Sequence, residues 1–355
     1  MSAYSIAFIG TGPNPDEPDW GNSAAMAYRH AAGYRKLDDC DLVAVADLVT
    51  DHAAAFADEF DIREDSIYED YMTMLREEEP TFVSVCTPVP THAPIVADCI
   101  ESGHVDAIHC EKPMASTWAD AERMAAAAAE HDVQLTFNHQ RRFAPGWRAA
   151  KERFAAGAIG DLERVEVGVR NLFDHGTHLF DMCNALAGGA SPEWVLAGID
   201  YREENVRYGT HNENHAVGQW RYENGVHGVV SGGDGAELIG CALRAVGSAG
   251  TIELNEGSGA PDRLRRDGDA GWETIGTETT GDTLHLAVRH VVESFDADET
   301  PELAAHNALT ATELIFGCYE SVRRRGRIEF PLDIEDNPLE ALVEAGEIAP
   351  RPIGE

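Results

Sequence analysis

One of only three lysines in the chain, Lys112, closes the apolar run Ile108-His109-Cys110-Glu111-Lys112-Pro113-Met114, between a glutamate and a proline. An ammonium at that position is either half of an ion pair capping a buried strand or a catalytic group. In the second case the turn that Pro113 imposes holds it, and burial and neighbours tune it. A second set is Asp174-His175-Gly176-Thr177-His178-Leu179-Phe180-Asp181. Asp174 and His178 are four apart at an expected helix start, so they share a face, with Asp181 a further turn along. An aspartate orienting an imidazole, with a lysine within reach, can move a proton at neutral pH. By itself Asp-x-x-x-His more often marks a helix cap and a surface histidine. The glycine and apolar residues around this pair, and the strand directly before it, favour chemistry.

The elements that would position these groups begin with Tyr4-Ser5-Ile6-Ala7-Phe8-Ile9, a strand running into Gly10-Thr11-Gly12-Pro13. Paired glycines there allow a tight turn and let a pyrophosphate approach the backbone. The third glycine of that fingerprint is displaced by the acidic insert Asn14 to Gly21, so Gly21-Asn22-Ser23 is expected to supply the helix start whose amides meet phosphate. The second strand, Leu42 to Ala46, ends in Asp47, which can accept hydrogen bonds from a ribose diol. Leu48 follows, with no arginine nearby to neutralise a further phosphate, so NAD is expected in preference to NADP. Strand–helix alternation continues to residue 137, through Thr81–Cys86, the loop Thr87-Pro88-Val89-Pro90-Thr91-His92 and Gln134–Phe137. That pattern predicts a doubly wound parallel α/β sheet over 1–138.

Beyond Asn138 the pattern changes. A helix, the alternating strand Leu162–Val169, the helix opening at Asp174 and a series of strands from Trp194 to Leu254 predict an α+β domain with an open antiparallel sheet over 139–330. A tail, 331–355, follows. His211-Asn212-Glu213-Asn214-His215 has the spacing of a helical metal pair but lies between strands, so no metal site is expected. A plain loop is the simpler reading, with His215 as a pocket-lining residue the next.

A formal charge of -36 excludes unspecific nucleic-acid binding and makes an anionic membrane a poor partner. With arginine replacing lysine almost throughout, it points to a surface adapted to high salt, as in a halophile. Seven cysteines without a Cys-x-x-Cys pair read as buried thiols of a reducing compartment. The N-terminus lacks a signal-like pattern and no run reaches membrane-spanning length, so a cytoplasmic protein is expected.

Taken as a set, Gly10-x-Gly12, Asp47, Thr87-Pro88 with His92, Glu111-Lys112-Pro113, Arg141-Arg142-Phe143 and Asp174-x-Gly176-x-His178-x-x-Asp181 resemble the glucose–fructose oxidoreductase, inositol dehydrogenase and rhizopine-catabolism protein family (Gfo/Idh/MocA). The resemblance spans roughly residues 4 to 330. It implies a Rossmann domain plus an open-faced sheet domain, a homo-oligomer often assembled through that face, and NAD(P)-dependent hydride transfer with a sugar, cyclitol or related polyol. It makes Lys112, Asp174 and His178 catalytic, and Gly10, Gly12, Pro13, Asp47, Thr87, Pro88, His92 and Glu111 the cofactor-binding set. In the expected reaction the substrate proton goes to His178 or to Lys112, and Lys112 steadies the developing alkoxide. Arg141 and Asn171 are candidate substrate hydrogen-bonders. The rival readings are a sensor binding nucleotide and sugar without turnover, and NAD-assisted elimination or glycoside cleavage without net oxidation.

Overall fold

A computed structural model describes residues 4–13, 25–255, 259–277 and 281–350. The acidic insert, and Gly21-Asn22-Ser23 with it, lie outside the described residues. The chain divides into two compact units that are not contiguous in sequence: 1–115, 120–140 and 281–306 form one, and 116–119, 141–280 and 307–355 the other.

In the first unit the strands are β1 (Tyr4–Ile9), β2 (Cys40–Ala46), β3 (Ile67–Tyr68), β4 (Phe82–Val85), β5 (Ala107–Cys110) and β6 (Gln134–Phe137). They pair in the order β3-β2-β1-β4-β5-β6, every pair parallel. All four residues of β4 and of β5 are buried, as the central strands of a sheet covered on both faces must be. The covering helices are α1 (Met26–Tyr34), α2 (Thr50–Phe60), α3 (Tyr71–Glu78), α4 (His92–Ser102) and α5 (Trp118–Glu130). Asp70 caps α3 by accepting from the Met72 and Thr73 amides at 3.2 and 3.1 Å, and Gly103 ends α4 at positive φ. This is the doubly wound order whose ligand crevice opens beyond the carboxyl ends of β1 and β4.

The second unit begins with α6 (Pro145–Ala155), β7 (Leu162–Val169) and α7 (Gly176–Leu186). Its strands continue as β8 (Pro192–Asp200), β9 (Val206–Arg207), β10 (Thr210–His211), β11 (His215–Tyr222), β12 (His227–Gly233), β13 (Leu243–Gly247), β14 (Gly250–Leu254), β15 (Arg263–Arg266) and β16 (Glu273–Thr274). Helix α8 (Thr283–Asp296) returns to the first unit, and α9 (Ala305–Arg324), β17 (Ile328–Glu329) and α10 (Pro338–Glu344) complete the chain. Among the described residues nine strands form one sheet, β16-β15-β14-β13-β7-β12-β11-β8-β17. It is mixed rather than wholly antiparallel, because β12 runs parallel to β7. After β7 the chain crosses through α7, and the β8–β11–β12 meander brings it back beside β7 in the same direction.

Alternation divides the faces of this sheet. Phe180 of α7 packs on Trp220, with ring centroids 5.2 Å apart, and the Tyr222 hydroxyl donates to Asn184 Oδ1 at 2.7 Å. Val217, Gln219 and Leu196 therefore point to the other face, where Val217 is 50% and Leu196 40% exposed. Across the far strands that open face carries a charge ladder: Arg244 bonds Glu166 at 2.5 Å and Glu253 at 2.7 Å, and Arg263 bonds Glu253 at 2.7 Å. Among the described residues no helix is long and apolar enough to cross a membrane.

Candidate functional site

At the mouth of the parallel sheet, Gly10 and Gly12 adopt φ of 80° and 65°. A Cβ on Gly10 would stand 2.4 Å from Thr87 Cγ2, so the turn lies against the end of β4 as only glycine allows. Asp47, at the end of β2, braces the same turn. Its Oδ2 accepts from the Thr11 amide at 2.7 Å, the Thr11 hydroxyl at 3.0 Å and the Gly12 amide at 3.2 Å. Its Oδ1 takes the Val49 amide at 2.8 Å and keeps further acceptor capacity. The Thr87 hydroxyl is buried without a hydrogen-bond partner among the described residues, an unmet polar atom at the switch point. Pro13 continues the glycine turn, and the exposed Pro88 leads into the short helical turn Val89–Thr91 before α4. An acceptor at the ribose position, close-packed glycines and an unmet hydroxyl fit a dinucleotide; Leu48, 85% exposed beside Asp47, offers no charge to an added phosphate.

Two residues expected to bind the cofactor are otherwise engaged. His92 is fully buried, its Nε2 lying 2.8 Å from the Thr87 carbonyl and its Nδ1 3.0 Å from the Pro113 carbonyl. It ties the loop after β4 to the loop after β5, and burial lowers its pKa. Glu111, 6% exposed, spends both oxygens inside the protein. Oε1 accepts from His30 Nε2 at 2.9 Å and Asn138 Nδ2 at 2.6 Å, and Oε2 from the Lys112 amide at 3.2 Å. The motif's glutamate, just past the end of β5, thus turns inward to His30 and Asn138. Burial pushes its carboxyl up, but the hydrogen bond and charge of His30 outweigh burial and hold it at about 2. His109, whose ring lies 5.0 Å from that of His30, is pushed down to about 3 by burial and by the His30 charge.

In the second unit Asp174 and His178 stand on either side of the start of α7, Asp174 half-buried before it and His178, 2% exposed, in its first turn. The segment Asn171–His175 is pinned from several directions. Asn171 Oδ1 accepts the His175 amide at 2.8 Å, Asn212 Oδ1 accepts the Asp174 amide at 3.1 Å, and Glu213 Oε1 accepts the Leu172 amide at 2.7 Å. Glu213 Oε2 takes the Tyr319 hydroxyl at 2.6 Å. Glu213 is fully buried, and burial raises its pKa against the opposing pull of those two bonds. The segment read as a plain loop, 211–215, is therefore the brace of the Asp174 turn. The signal available in the sequence was two adjacent amide and carboxyl side chains between strands.

Asp181 has a different task. Arg142 reaches its carboxylate with both Nε (2.6 Å) and Nη2 (2.7 Å), a buried fork-on-fork pair tying the stretch after β6 to α7. Arg141, one residue earlier, contacts His175 Nε2 at 3.1 Å and borders a cavity of ≈160 Å³ with Trp147, Leu179, Met182 and Asp262. Asn171, nearly fully buried, has its side-chain oxygen committed to the turn. The register of His215 puts it on the open face with Val217, beside Ser231 and Gly235, opposite the face on which α7 packs. The period of two, applied from Trp220 backwards, already determines that outcome. Lys112 belongs to the first unit, and Asp174, His178 and Arg141 to the second.

Residues 20–139 match the oxidoreductase family with an NAD-binding Rossmann fold, and residues 167–330 match the C-terminal alpha/beta domain of the same family. The chain is 27% identical to the D-apiose dehydrogenase of Paraburkholderia graminis over 335 residues, 84% of this chain and 86% of that protein. It is 34% identical to the inositol 2-dehydrogenase of Rubrobacter xylanophilus over 140 residues, 39% of each chain. The dehydrogenase WlbA of Bordetella pertussis, solved in complex with NADH and UDP-GlcNAcA, shares the fold with a TM-score of 0.71 at 20% identity, covering 94% of this chain and 100% of that one.

Proposed function

The chain belongs to the Gfo/Idh/MocA oxidoreductase family, and from that premise we propose that it oxidises a carbinol of a sugar, cyclitol or related polyol with NAD. The observation that carries the cofactor reading is the Asp47 carboxylate, fixed by the Gly10–Gly12 turn with acceptor capacity to spare. The relatives' action on D-apiose and inositol supports the substrate class. NAD, when bound, accepts hydride from the carbinol carbon. The chain's own residues supply the rest. Gly10, Gly12, Asp47 and Thr87 hold the dinucleotide. His178, on a turn braced by Asn212 and Glu213, takes the hydroxyl proton with Asp174 as its orienting acid. The Lys112 ammonium steadies the alkoxide as the proton leaves. Arg141 hydrogen-bonds a substrate oxygen.

The test is absorbance at the reduced-nicotinamide band, with a polyol panel and NAD or NADP, at low and at molar salt. The expected result is net NADH with at least one polyol, weaker reduction of NADP, and higher activity in molar salt, as the acidic surface implies. Lys112→Ala should lose at least about a hundredfold in kcat with NAD affinity kept. A fully active alanine variant removes the lysine from the reaction. Product without NADH, or binding without turnover, replaces the dehydrogenase reading with one of its rivals.

A further inference from the structure

We infer that His30 is a positioning residue of this reaction: with Glu111 it forms a buried ion pair that fixes the turn bearing Lys112. The inference rests on the role proposed for Lys112. His30 comes from the middle of α1, about 80 residues before the strand it serves, and is fully buried. Its Nδ1 meets Ser84 Oγ at 2.7 Å and its Nε2 meets Glu111 Oε1 at 2.9 Å. Ser84 can accept as well as donate, so both ring nitrogens can carry protons, as an imidazolium requires. The other carboxylate oxygen of Glu111 accepts the backbone amide of Lys112 itself. A continuous chain of bonds therefore runs from β4 through His30 and Glu111 to the backbone that carries the lysine.

The His30 ring meets groups from several elements, Asn138 Nδ2 lying 3.1 Å from its Nε2. β4 offers Ser84 and the Cys86 sulfur, the latter 3.7 Å from Nδ1. β5 offers His109, which is bonded to Thr136 of β6, and the turn just past it offers Glu111 and Lys112. Asn138, just past β6, donates to Glu111. On the α8 side, His285 lies against the Gly33 carbonyl and Arg29 turns outward to Asp282. Among these described groups Glu111 is the carboxylate that meets the ring. Burial opposes charge on His30, but the Cys86 sulfur and the Glu111 carboxylate around it hold its pKa well above the usual imidazole range. Two opposite charges in the middle of a parallel sheet are costly, and an apolar pair would fill the space at less expense. What an apolar pair could not do is accept the Lys112 amide.

The consequence is specific. Without the His30 charge, only the Asn138 hydrogen bond and the Lys112 charge oppose burial at Glu111, and its carboxyl pKa rises. Above that value the Lys112 amide then meets a carboxylate with no histidine charge beside it, and below that value a neutral acid. His30→Gln retains hydrogen bonding to Ser84 and Glu111 but not the charge. It should lower kcat roughly tenfold at neutral pH and leave the KM for NAD within about twofold. It should also add an ionisation to the pH–kcat profile that wild type lacks. The double variant H30Q/E111Q, which removes both charges, should lose that extra ionisation and recover part of kcat. If H30Q does not fold, E111Q carries the test, because His30 facing an amide should bring an imidazole ionisation into the same profile. A wild-type pH profile in the readable single variant, or a double variant no better than H30Q, overturns the inference. An active Lys112→Ala enzyme instead overturns the role of Lys112 on which it rests.

Discussion

Glu213 offers the sharpest quantitative test of how the Asp174 turn is held. Its two oxygens hold the Leu172 amide at 2.7 Å and the Tyr319 hydroxyl at 2.6 Å, with the side chain fully buried. Glu213→Ala strands both donors, and hydrogen bonds of this charge-assisted kind are worth about 1.5–3 kcal/mol each. Burial of the carboxylate offsets part of that, as its raised pKa records, so a net loss of about 2–4 kcal/mol is expected. Glu213→Gln keeps an acceptor for Leu172 and turns an amide toward Tyr319, so it should cost about 1 kcal/mol. The pH dependence separates charge from shape. A carboxyl whose folded pKa is raised contributes stability below its unfolded pKa, near 4.3, and loses it as pH rises through the folded value. Wild type should therefore be at its best relative to E213Q in acid and lose ground toward neutrality. Urea unfolding of the three proteins at a series of pH values, in molar salt, reads this directly. Kinetically, E213A should lose kcat while its KM for NAD is unchanged, since the cofactor turn lies in the other unit. An alanine variant as stable and as active as wild type refutes the reasoning.

Two further predictions follow from the geometry. Gly10→Ala forces a side chain into positive φ and onto Thr87, so NAD affinity measured by titration should fall at least about tenfold; unchanged affinity would mean that the turn does not carry the dinucleotide. Asp181→Asn removes the carboxylate from a buried guanidinium and should cost about 3–5 kcal/mol by urea titration, whereas the paired replacement R142M/D181L should lie closer to wild type; equal losses would show that shape, not charge, sustains that contact.

The doubly wound sheet was legible because parallel strands buried on both faces read as unbroken apolar runs: Tyr4–Ile9, Leu42–Ala46 and Thr81–Cys86 announced three of them. Gly10, Gly12 and Asp47 were equally plain, since a left-handed turn and an acid at a strand end leave their mark on residue type. Partners distant in the chain were not. Glu111 and His92 have the polarity of ligand-binding residues, and only the tertiary packing shows that they turn inward to His30, Asn138 and two carbonyls.

The amino-acid order by itself settled which segments become strands and helices and where the chemistry-bearing types lie, because periodicity and turn chemistry act over a few residues. Which carboxylate is spent on a histidine, which on two arginine nitrogens and which on a backbone amide was decided by folding alone. Burial charges every polar group for leaving water, and the groups that repay it are brought together from dozens or hundreds of residues apart.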